Sequence, residues 1–312
     1  MTSTARLVEI HRLAVAGGDA GIARDVGDRV GRAWLARSRF ADVVRLAEQT
    51  LALGDDATAL YYLGWAKRVT GFPMEALAAY DRALDLYRAD HHRENESATL
   101  SSIGHVLSGL GDRIQALDYH GQALLIAREV GDRAGEASTL NNIGQVYDSL
   151  GDGQRALDYY RQSLPIEREV EDRAGEAITL NNIGSAYHTL GDPEQALDYY
   201  RLALPIQLEV GDRAGEATTL NNIGGVHNEL GDPRQALGYY GQSLLILREV
   251  GDRAGEAVTR YNIAMTYRQR GELDRAVAEL EQVVELDRQV GHPDLDSDTA
   301  MLERVRQERA RS

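Results

Sequence analysis

Paired asparagines recur at a fixed spacing in the middle of the chain. The pentapeptide Leu-Asn-Asn-Ile-Gly begins at Leu140, Leu180 and Leu220, each time 40 residues further on. An asparagine amide both donates and accepts, so a ladder of them can hydrogen-bond the N–H and C=O groups of an extended peptide. Asparagine is a mediocre helix former, so six of them inside predicted helices require a reason. The alternative is that each asparagine braces a neighbouring helix, and three near-identical copies amount to a single observation.

An aromatic cluster edged by arginine lies two repeat lengths before the first asparagine pair. It contains Tyr61, Tyr62, Trp65 and Arg68. Because Trp, Tyr and Arg are favoured at binding hot spots, the cluster is a candidate anchor for a ligand side chain or carboxylate. The alternative is that Tyr62 and Trp65 pack beneath an N-terminal helix. A smaller version of the cluster occurs at the far end, at Tyr261, Asn262, Met265 and Arg268.

These residues must be positioned by helical hairpins, because the turn chemistry also repeats. Gly191 stands where a helix end requires positive φ, Asp192 can cap the next helix, Pro193 suits its first turn and Gln195 completes a capping box. Glycine-aspartate pairs also close one unit and open the next, with Glu171 replacing the glycine once. Each unit is therefore predicted to be helix–turn–helix.

A glycine in the middle of each first helix predicts close helix packing. It costs up to about 1 kcal/mol relative to alanine, so a compensating contact is expected. We expect a small residue of the paired helix to face it, with tyrosines filling the space beside them. Pro165 and Pro205 should kink or end their helices. The expected packing residues are Ala116, Ala156, Ala196 and Ala236, with Tyr80, Tyr160, Tyr200 and Tyr240.

The spacing Leu-x2-Ile/Leu-Gly-x2-Tyr, then Ala, Tyr and Ala/Ser, resembles the tetratricopeptide repeat over roughly residues 24–290. The 40-residue period is most similar to the variety found in kinesin light chains, spindle-orientation adaptors and bacterial signalling proteins. The resemblance implies an all-α fold, a right-handed α-solenoid whose first helices line a concave groove, and it implies no reaction. The predicted organisation is an N-terminal capping helix (1–23), a divergent unit (24–56), six units (57–290, starting near 57, 97, 137, 177, 217 and 257) and a C-terminal cap with a charged tail (291–312).

The resemblance also assigns the asparagines and the residues one turn beyond them to the groove. The near-identical copies differ at these later positions, although they also differ on the second helix, so part of the variation is surface drift. Paired basic residues that grip a C-terminal carboxylate in co-chaperone relatives are missing from the middle units. The predicted peptide-binding residues are Asn141, Asn142, Gln145, Asp148, Asn181, Asn182, Ser185, His188, Asn221, Asn222, Asn228 and Asn262, with Tyr61, Trp65 and Arg68 as an anchor pocket.

Composition and motif spacing exclude several classes of site. A formal charge of −15 disfavours nucleic acid, and the chain has no cysteine for disulfide or thiolate chemistry. His105, His188 and His227 occupy different helical positions, so no metal site is predicted, and no Gly-x-Gly-x-x-Gly motif indicates a dinucleotide. No apolar run predicts a membrane span, and the first residues do not form a secretory signal. We therefore expect a cytoplasmic, non-enzymatic protein without cofactor or metal.

The leading functional hypothesis is a protein interaction scaffold that binds an extended segment of a partner protein in the groove. The alternative is a regulatory sensor that takes a short signalling peptide or small molecule and acts on a separate output protein. Scattering with and without ligand separates the two, since a sensor should change its superhelical pitch. Self-association through an end or the concave face stays open as a third hypothesis, because solenoid ends are adhesive when their caps are imperfect.

Overall fold

The structure, a computed structural model, describes residues 3–311, which form sixteen α-helices and no strand. Residues 1–2 and 312 of the predicted caps lie outside the described residues. The first eight helices are α1 Thr4–Gly17, α2 Ala20–Leu35, α3 Phe40–Leu51, α4 Ala57–Val69, α5 Pro73–Ala89, α6 Arg93–Gly109, α7 Arg113–Val130 and α8 Arg133–Ser149. The remaining helices are α9 Gly153–Glu169, α10 Arg173–Thr189, α11 Pro193–Val210, α12 Arg213–Glu229, α13 Pro233–Val250, α14 Arg253–Gln269, α15 Leu273–Val290 and α16 Leu295–Arg311.

The helices are grouped into two compact units, Met1–Leu150 with α1 to α8 and Gly151–Ser312 with α9 to α16. Within each unit a helix packs on the next one along the chain. Even-numbered helices also contact one another, α2 with α4, α4 with α6 and α6 with α8 in the first unit, and α10 with α12 and α12 with α14 in the second. Successive odd-numbered helices among the described residues do not make contacts of this extent. The even-numbered helices therefore form the inner face of each unit, and the predicted all-α solenoid of helical pairs is confirmed.

The turns use the predicted glycine, aspartate cap and proline, but the Asp192 backbone N–H donates to the Tyr187 carbonyl at 2.9 Å and not to Gln195, so the predicted capping box is not formed. Gly191 has a φ of 80°, and the side chain of Asp192 accepts a hydrogen bond from the Gln195 backbone N–H at 3.1 Å, with Pro193 in the first turn of α11. Asp172 caps α10 in the same way through the Gly175 N–H at 2.9 Å. Each cap satisfies a backbone donor that the helix itself leaves unpaired.

Glu171 takes a left-handed backbone conformation that glycine occupies at the equivalent turns. Its φ is 56°, whereas Gly131 and Gly211 each have a φ of 73°. A side chain in this region costs roughly 1–2 kcal/mol, which the greater freedom of glycine in the unfolded chain partly offsets. We expect Glu171→Gly to raise the free energy of unfolding by about 1 kcal/mol in urea denaturation. The reverse substitution Gly211→Glu should lower it, and an unchanged or lower stability of Glu171→Gly would contradict the argument.

The helical glycines pack against aromatic rings. A Cβ atom at Gly184 would lie 2.6 Å from the ring of Tyr200, and the same contact at Gly224 would be 2.7 Å from the ring of Tyr240. The predicted close approach is therefore present. The nearest atoms at both glycines belong to the tyrosine ring that was expected beside the alanine, and at Gly224 the backbone oxygen of Ala236 follows at 3.2 Å.

Proline does not end the second helices. Helix α9 continues through Pro165 to Glu169, and α11 continues through Pro205 to Val210. Each proline lies in the last two turns of its helix. Only a short part of the helix is therefore affected by the backbone hydrogen bond that the proline removes. The expectation that these prolines end their helices was therefore wrong.

A buried carboxylate near the start of several even-numbered helices is held by two arginines. Glu176, whose side chain is 6% exposed, lies 2.7 Å from Nε of Arg168 and also pairs with Arg173. Glu96, Glu136 and Glu256 make the same pairings with arginines at the same spacing. In one repeat Leu208 takes the place of the first arginine, and Glu216 pairs only with Arg213. Charge pairing at these positions makes burial of the carboxylates tolerable.

Candidate functional site

The inner face of the first unit carries a cavity of about 330 Å³ between α4, α6 and α8. Tyr61, Trp65 and Arg68 lie on one side of α4 because their spacing repeats with the helical turn. They meet Ser101, Ser102 and His105 of α6, and Ser138 and Asn142 of α8. We call this cavity the aromatic pocket. The structure thus brings the three predicted anchor residues together with one of the predicted asparagines.

Tyr61 forms the centre of the aromatic pocket. Its ring centroid lies 6.3 Å from that of Trp65 and 5.6 Å from that of Tyr80, and its hydroxyl is 3.3 Å from Ser102 Oγ. The ring is therefore fixed on several sides, and little side-chain freedom remains to be lost on binding. Trp65 is 37% exposed, so it offers an indole face to a ligand.

Tyr62 and Trp65, for which packing beneath an N-terminal helix was the alternative, lie in different surroundings. The ring of Tyr62 packs against Gly31 of α2, and its hydroxyl donates to Asp28 Oδ1 at 2.6 Å. Trp65 lines the aromatic pocket instead. Two aromatic residues of one helix thus lie in different surroundings, Tyr62 against α2 and Trp65 at the aromatic pocket.

Arg68 lines the aromatic pocket, and no carboxylate among residues 3–311 comes within 4.0 Å of its guanidinium. Arg268 occupies the same position five repeats later, and there Glu308 accepts from the guanidinium at 2.6 and 2.8 Å. This hydrogen bonding raises the pKa of Arg268. Of these two equivalent arginines, only Arg268 has a carboxylate partner among the described residues.

The predicted asparagines connect neighbouring even-numbered helices. In each case a side-chain amide donates to a residue 41 positions earlier, on the preceding even-numbered helix, so the bracing role is present in the structure. One such bond uses only one of the two N–H groups of the donor, so capacity for a ligand remains. The bonds are Asn142 Nδ2 to Ser101 Oγ (3.3 Å), Asn222 Nδ2 to Asn181 Oδ1 (3.3 Å) and Asn262 Nδ2 to Asn221 Oδ1 (3.1 Å).

The other predicted groove residues differ in exposure. Asn141 is buried and accepts from Gln145 Nε2 at 3.0 Å, while Gln145 itself is exposed. The remaining residues of the predicted groove are half-buried. Burial raises the pKa of Asp148, and His188 Nε2 lies 2.8 Å from a carboxylate oxygen of Glu229. The half-buried residues are Asp148, Asn182, Ser185, His188 and Asn228.

A second cavity of about 330 Å³, in the second unit, was missed by the sequence analysis. It lies among α14, the end of α15 and the start of α16, and we call it the acidic pocket. The available signal was the alternation of Asp294, Asp296 and Asp298 at the predicted final helix. The residues lining the acidic pocket are Ala257, Val258, Tyr261, Asp287, His292, Asp294, Ser297 and Asp298.

Two kinds of site are not found in the described part of the chain. No group of three or more His, Cys, Asp or Glu side chains within residues 3–311 is arranged to hold a metal ion. None of the described helices combines the length and the apolar character needed to cross a membrane.

Tandem helical pairs with polar and aromatic side chains on their inner face define the chain as a helical-repeat protein. The sequence model of the tetratricopeptide repeat matches residues 55–129, 95–169, 154–209 and 215–289. The chain therefore belongs to the tetratricopeptide repeat family. A comparison with the sequences of curated proteins found no match.

Several solved structures share the fold. The apo form of RapI is similar with a TM-score of 0.70 at 16% identity, covering 86% of this chain and 99% of RapI. The Rap conjugation gene regulator of plasmid pLS20, in complex with the Phr* peptide, has a TM-score of 0.67 at 18% identity, covering 88% and 76%. A signal transduction ATPase with a tetratricopeptide repeat sensor from Pyrococcus horikoshii has a TM-score of 0.67 at 15% identity, covering 94% and 48%. At these identities the similarity establishes the fold alone.

Proposed function

We propose that the chain is a non-enzymatic, cytoplasmic scaffold that binds an extended segment of a partner protein on the inner face of its even-numbered helices. In this proposal the aromatic pocket anchors one side chain of the segment, and Asn142 bonds its backbone beside the anchor. In the second unit, Asn182 and Asn222 play the same backbone role. The peptide complex of the pLS20 Rap regulator is consistent with this use of the fold.

The observation that carries the proposal is the guanidinium of Arg68, which has no carboxylate partner, beside exposed Trp65. The Tyr80 hydroxyl hydrogen-bonds Arg68, and the remaining N–H groups of the guanidinium can make charge-assisted hydrogen bonds to a ligand. Exposed tryptophan and tyrosine supply apolar contact area at low cost in side-chain entropy. Together they fit a segment that carries an acidic group next to an apolar side chain.

Trp65→Ala is expected to weaken partner binding by about 10- to 100-fold, the usual range for truncation of a hot-spot aromatic residue. A moderate loss of stability is also expected, because Trp65 is 37% exposed and the rest of its surface is covered. The partner is first sought by affinity purification from the source cell with quantitative mass spectrometry. Peptides of that partner are then titrated while Trp65 fluorescence is recorded. The other tryptophan, Trp34, is 7% exposed and responds less to a groove ligand.

Ile114→Ala is the matched control, because Ile114 is 82% exposed on α7 and does not line the aromatic pocket. A partner that is lost with Trp65→Ala and kept with Ile114→Ala supports the proposal. Equal recovery and equal peptide affinity for both variants would refute the role of the aromatic pocket.

The sensor role is the second candidate function. It is favoured by the similarity to the tetratricopeptide repeat sensor from Pyrococcus horikoshii, and by a cavity of about 330 Å³ that can hold a side chain or small molecule. Small-angle scattering during the same titration separates the two functions. A sensor changes its dimensions on binding, and a passive scaffold keeps them.

A further inference from the structure

The acidic pocket contains a buried carboxylate with one unsatisfied oxygen. Asp287, at the end of α15, is 1% exposed, and its Oδ2 atom has no hydrogen-bond partner. Its Oδ1 atom lies 4.0 Å from His292 Nδ1, beyond hydrogen-bond distance. A buried carboxylate normally requires a paired charge and satisfied oxygens, so this group is incomplete in the chain alone.

The surroundings of Asp287 add negative charge and little positive charge. Asp294 lies 3.8 Å from His292, and Asp298 has no basic partner within 4.0 Å among the described residues. Burial and the adjacent carboxylate of Asp287 raise the pKa of Asp298 to about 6. The nearest arginines do not compensate, since Arg268 is held by Glu308 and exposed Arg304 forms no ion pair with these aspartates. No arginine or lysine among the described residues therefore pairs with the carboxylates of the acidic pocket.

The shape and lining of the acidic pocket favour an organic cation. No geometry for a metal ion exists among residues 3–311. Ala257, Val258 and the ring of Tyr261 give an apolar and aromatic wall opposite the carboxylates. An alkyl chain can pack on such a wall, while a planar guanidinium can pair with two carboxylates and stack on the tyrosine.

We propose that the acidic pocket binds an arginine or lysine side chain of the partner polypeptide, with Asp287 and Asp298 as the carboxylates that receive its charge. The inference rests on the proposed function, because it names a feature of the segment that the inner face binds. It adds the requirement that the bound segment carries a basic residue. This requirement arises from the acidic pocket of the second unit and is independent of the aromatic pocket of the first.

The test uses Nα-acetyl-arginine methylamide as the probe and the matched citrulline derivative, which is neutral, as its control. Binding is followed by two-dimensional NMR of the full chain. We expect shift changes confined to α14, the end of α15 and the start of α16 for the arginine probe, and none for citrulline. Asp298→Asn should weaken the arginine probe at least fivefold. Asp296→Asn, which alters an exposed aspartate outside the pocket lining, should leave the affinity unchanged.

Binding should also weaken roughly tenfold from pH 7.5 to pH 5.0, because Asp298 then takes up a proton and one carboxylate of the pocket loses its charge. Asp287→Asn serves as a second variant, with the spectrum of α9 to α13 as its check of folding. Equal binding of arginine and citrulline, or full affinity in both pocket variants, would overturn the proposal. If millimolar Ca²⁺ displaces the probe and itself changes the chemical shifts of the pocket residues, the site would be assigned to a metal ion. That outcome would also overturn the proposal. Because the probe is not a partner, these outcomes are separate from those of the Trp65 experiment.

Discussion

Acidification from pH 7 to pH 5 is expected to destabilise the first unit, and His120→Tyr is expected to remove much of that loss. His120 is 1% exposed and packs under Gly104, where the equivalent residue of other repeats is a tyrosine such as Tyr80. Burial lowers the pKa of His120 to about 4, and the nearby His105 adds to the effect. Its Nδ1 atom has no hydrogen-bond partner, so a proton there would gain no compensating contact.

The sign of the pH effect follows from proton uptake by the unfolded chain. Unfolded histidine has a pKa near 6.5, so between about pH 6.5 and pH 4 the unfolded state binds more protons than the folded state. Stability is therefore present above pH 6.5 and is lost as the pH falls toward 4. For His120 the expected loss is about 2 kcal/mol at pH 5.

Urea denaturation of the wild type and His120→Tyr at pH 7 and pH 5 measures this difference. Residual acid sensitivity is expected in the variant, because burial also lowers the pKa of His11, which is 1% exposed. Tyr200→His is the reciprocal control, since it places a histidine over Gly184 and should create a similar acid sensitivity in the second unit. Equal pH dependence in wild type and His120→Tyr would show that His120 is not the responsible group.

Gly184→Ala is expected to destabilise the second unit by about 1–2 kcal/mol, although alanine is the better helix former. The new methyl group would lie 2.6 Å from the ring of Tyr200, which is 1% exposed and has little room to move. Overpacking of this kind typically costs 1–3 kcal/mol and outweighs a propensity gain of about 1 kcal/mol. Thermal and urea denaturation measure the net effect.

Gly238→Ala provides the matched control. Gly238 lies within helix α13, and a Cβ atom there would meet no heavy atom within 4 Å. This substitution should raise stability by up to about 1 kcal/mol through helix propensity alone. The double change Gly184→Ala with Tyr200→Leu should recover part of the loss, because Ala264 and Leu280 share a core cluster at the equivalent positions of the last repeat. A stabilising effect of Gly184→Ala alone would refute steric control by the tyrosine.

The 40-residue period of the sequence was sufficient to predict the repeated helices, the aspartates that cap them and the packing of consecutive helices in pairs. Asp192 and Gly191 follow local rules of backbone geometry, so their roles were readable without tertiary information. The nearest neighbour of Gly184 depends on how two helices meet, so the sequence analysis expected Ala196 to face it with Tyr200 beside it, whereas the tyrosine ring is the closest group. The prolines do not end their helices, because the cost of Pro205 depends on its distance from the end of α11, and a kink at these prolines stays a prediction.

The site was only partly predictable for the same reason. Tyr61, Trp65 and Arg68 share one helical face, so their convergence followed from the turn of α4. Whether Arg68 has a carboxylate partner depends on another helix, and the contrast with Arg268 and Glu308 is visible only in three dimensions. The asparagines carried both interpretations from the start, since the same amide can bond a helix or a ligand. The acidic pocket was missed because Asp287 precedes the turn at His292 whereas Asp294 and Asp298 follow it. That these side chains line one pocket depends on how α15 and α16 pack, which the sequence spacing does not show.

The arginine-glutamate pairs have a consequence for how such a chain can change in length. Excision of residues 173–212 would join Asp172 directly to Arg213, and Arg168 would then stand eight positions before Glu216. Glu216 now has a leucine at that position, so the shortened chain would complete its ion pair while Asp172 assumed the capping role of Asp212. Removal or insertion of 40 residues thus preserves the spacing of the ion pair and of the capping aspartate at the junction between repeats. Removal or insertion of a slightly different number of residues would not. Removal of this one repeat would therefore shorten the inner face while keeping the capping hydrogen bond and the ion pair at the junction.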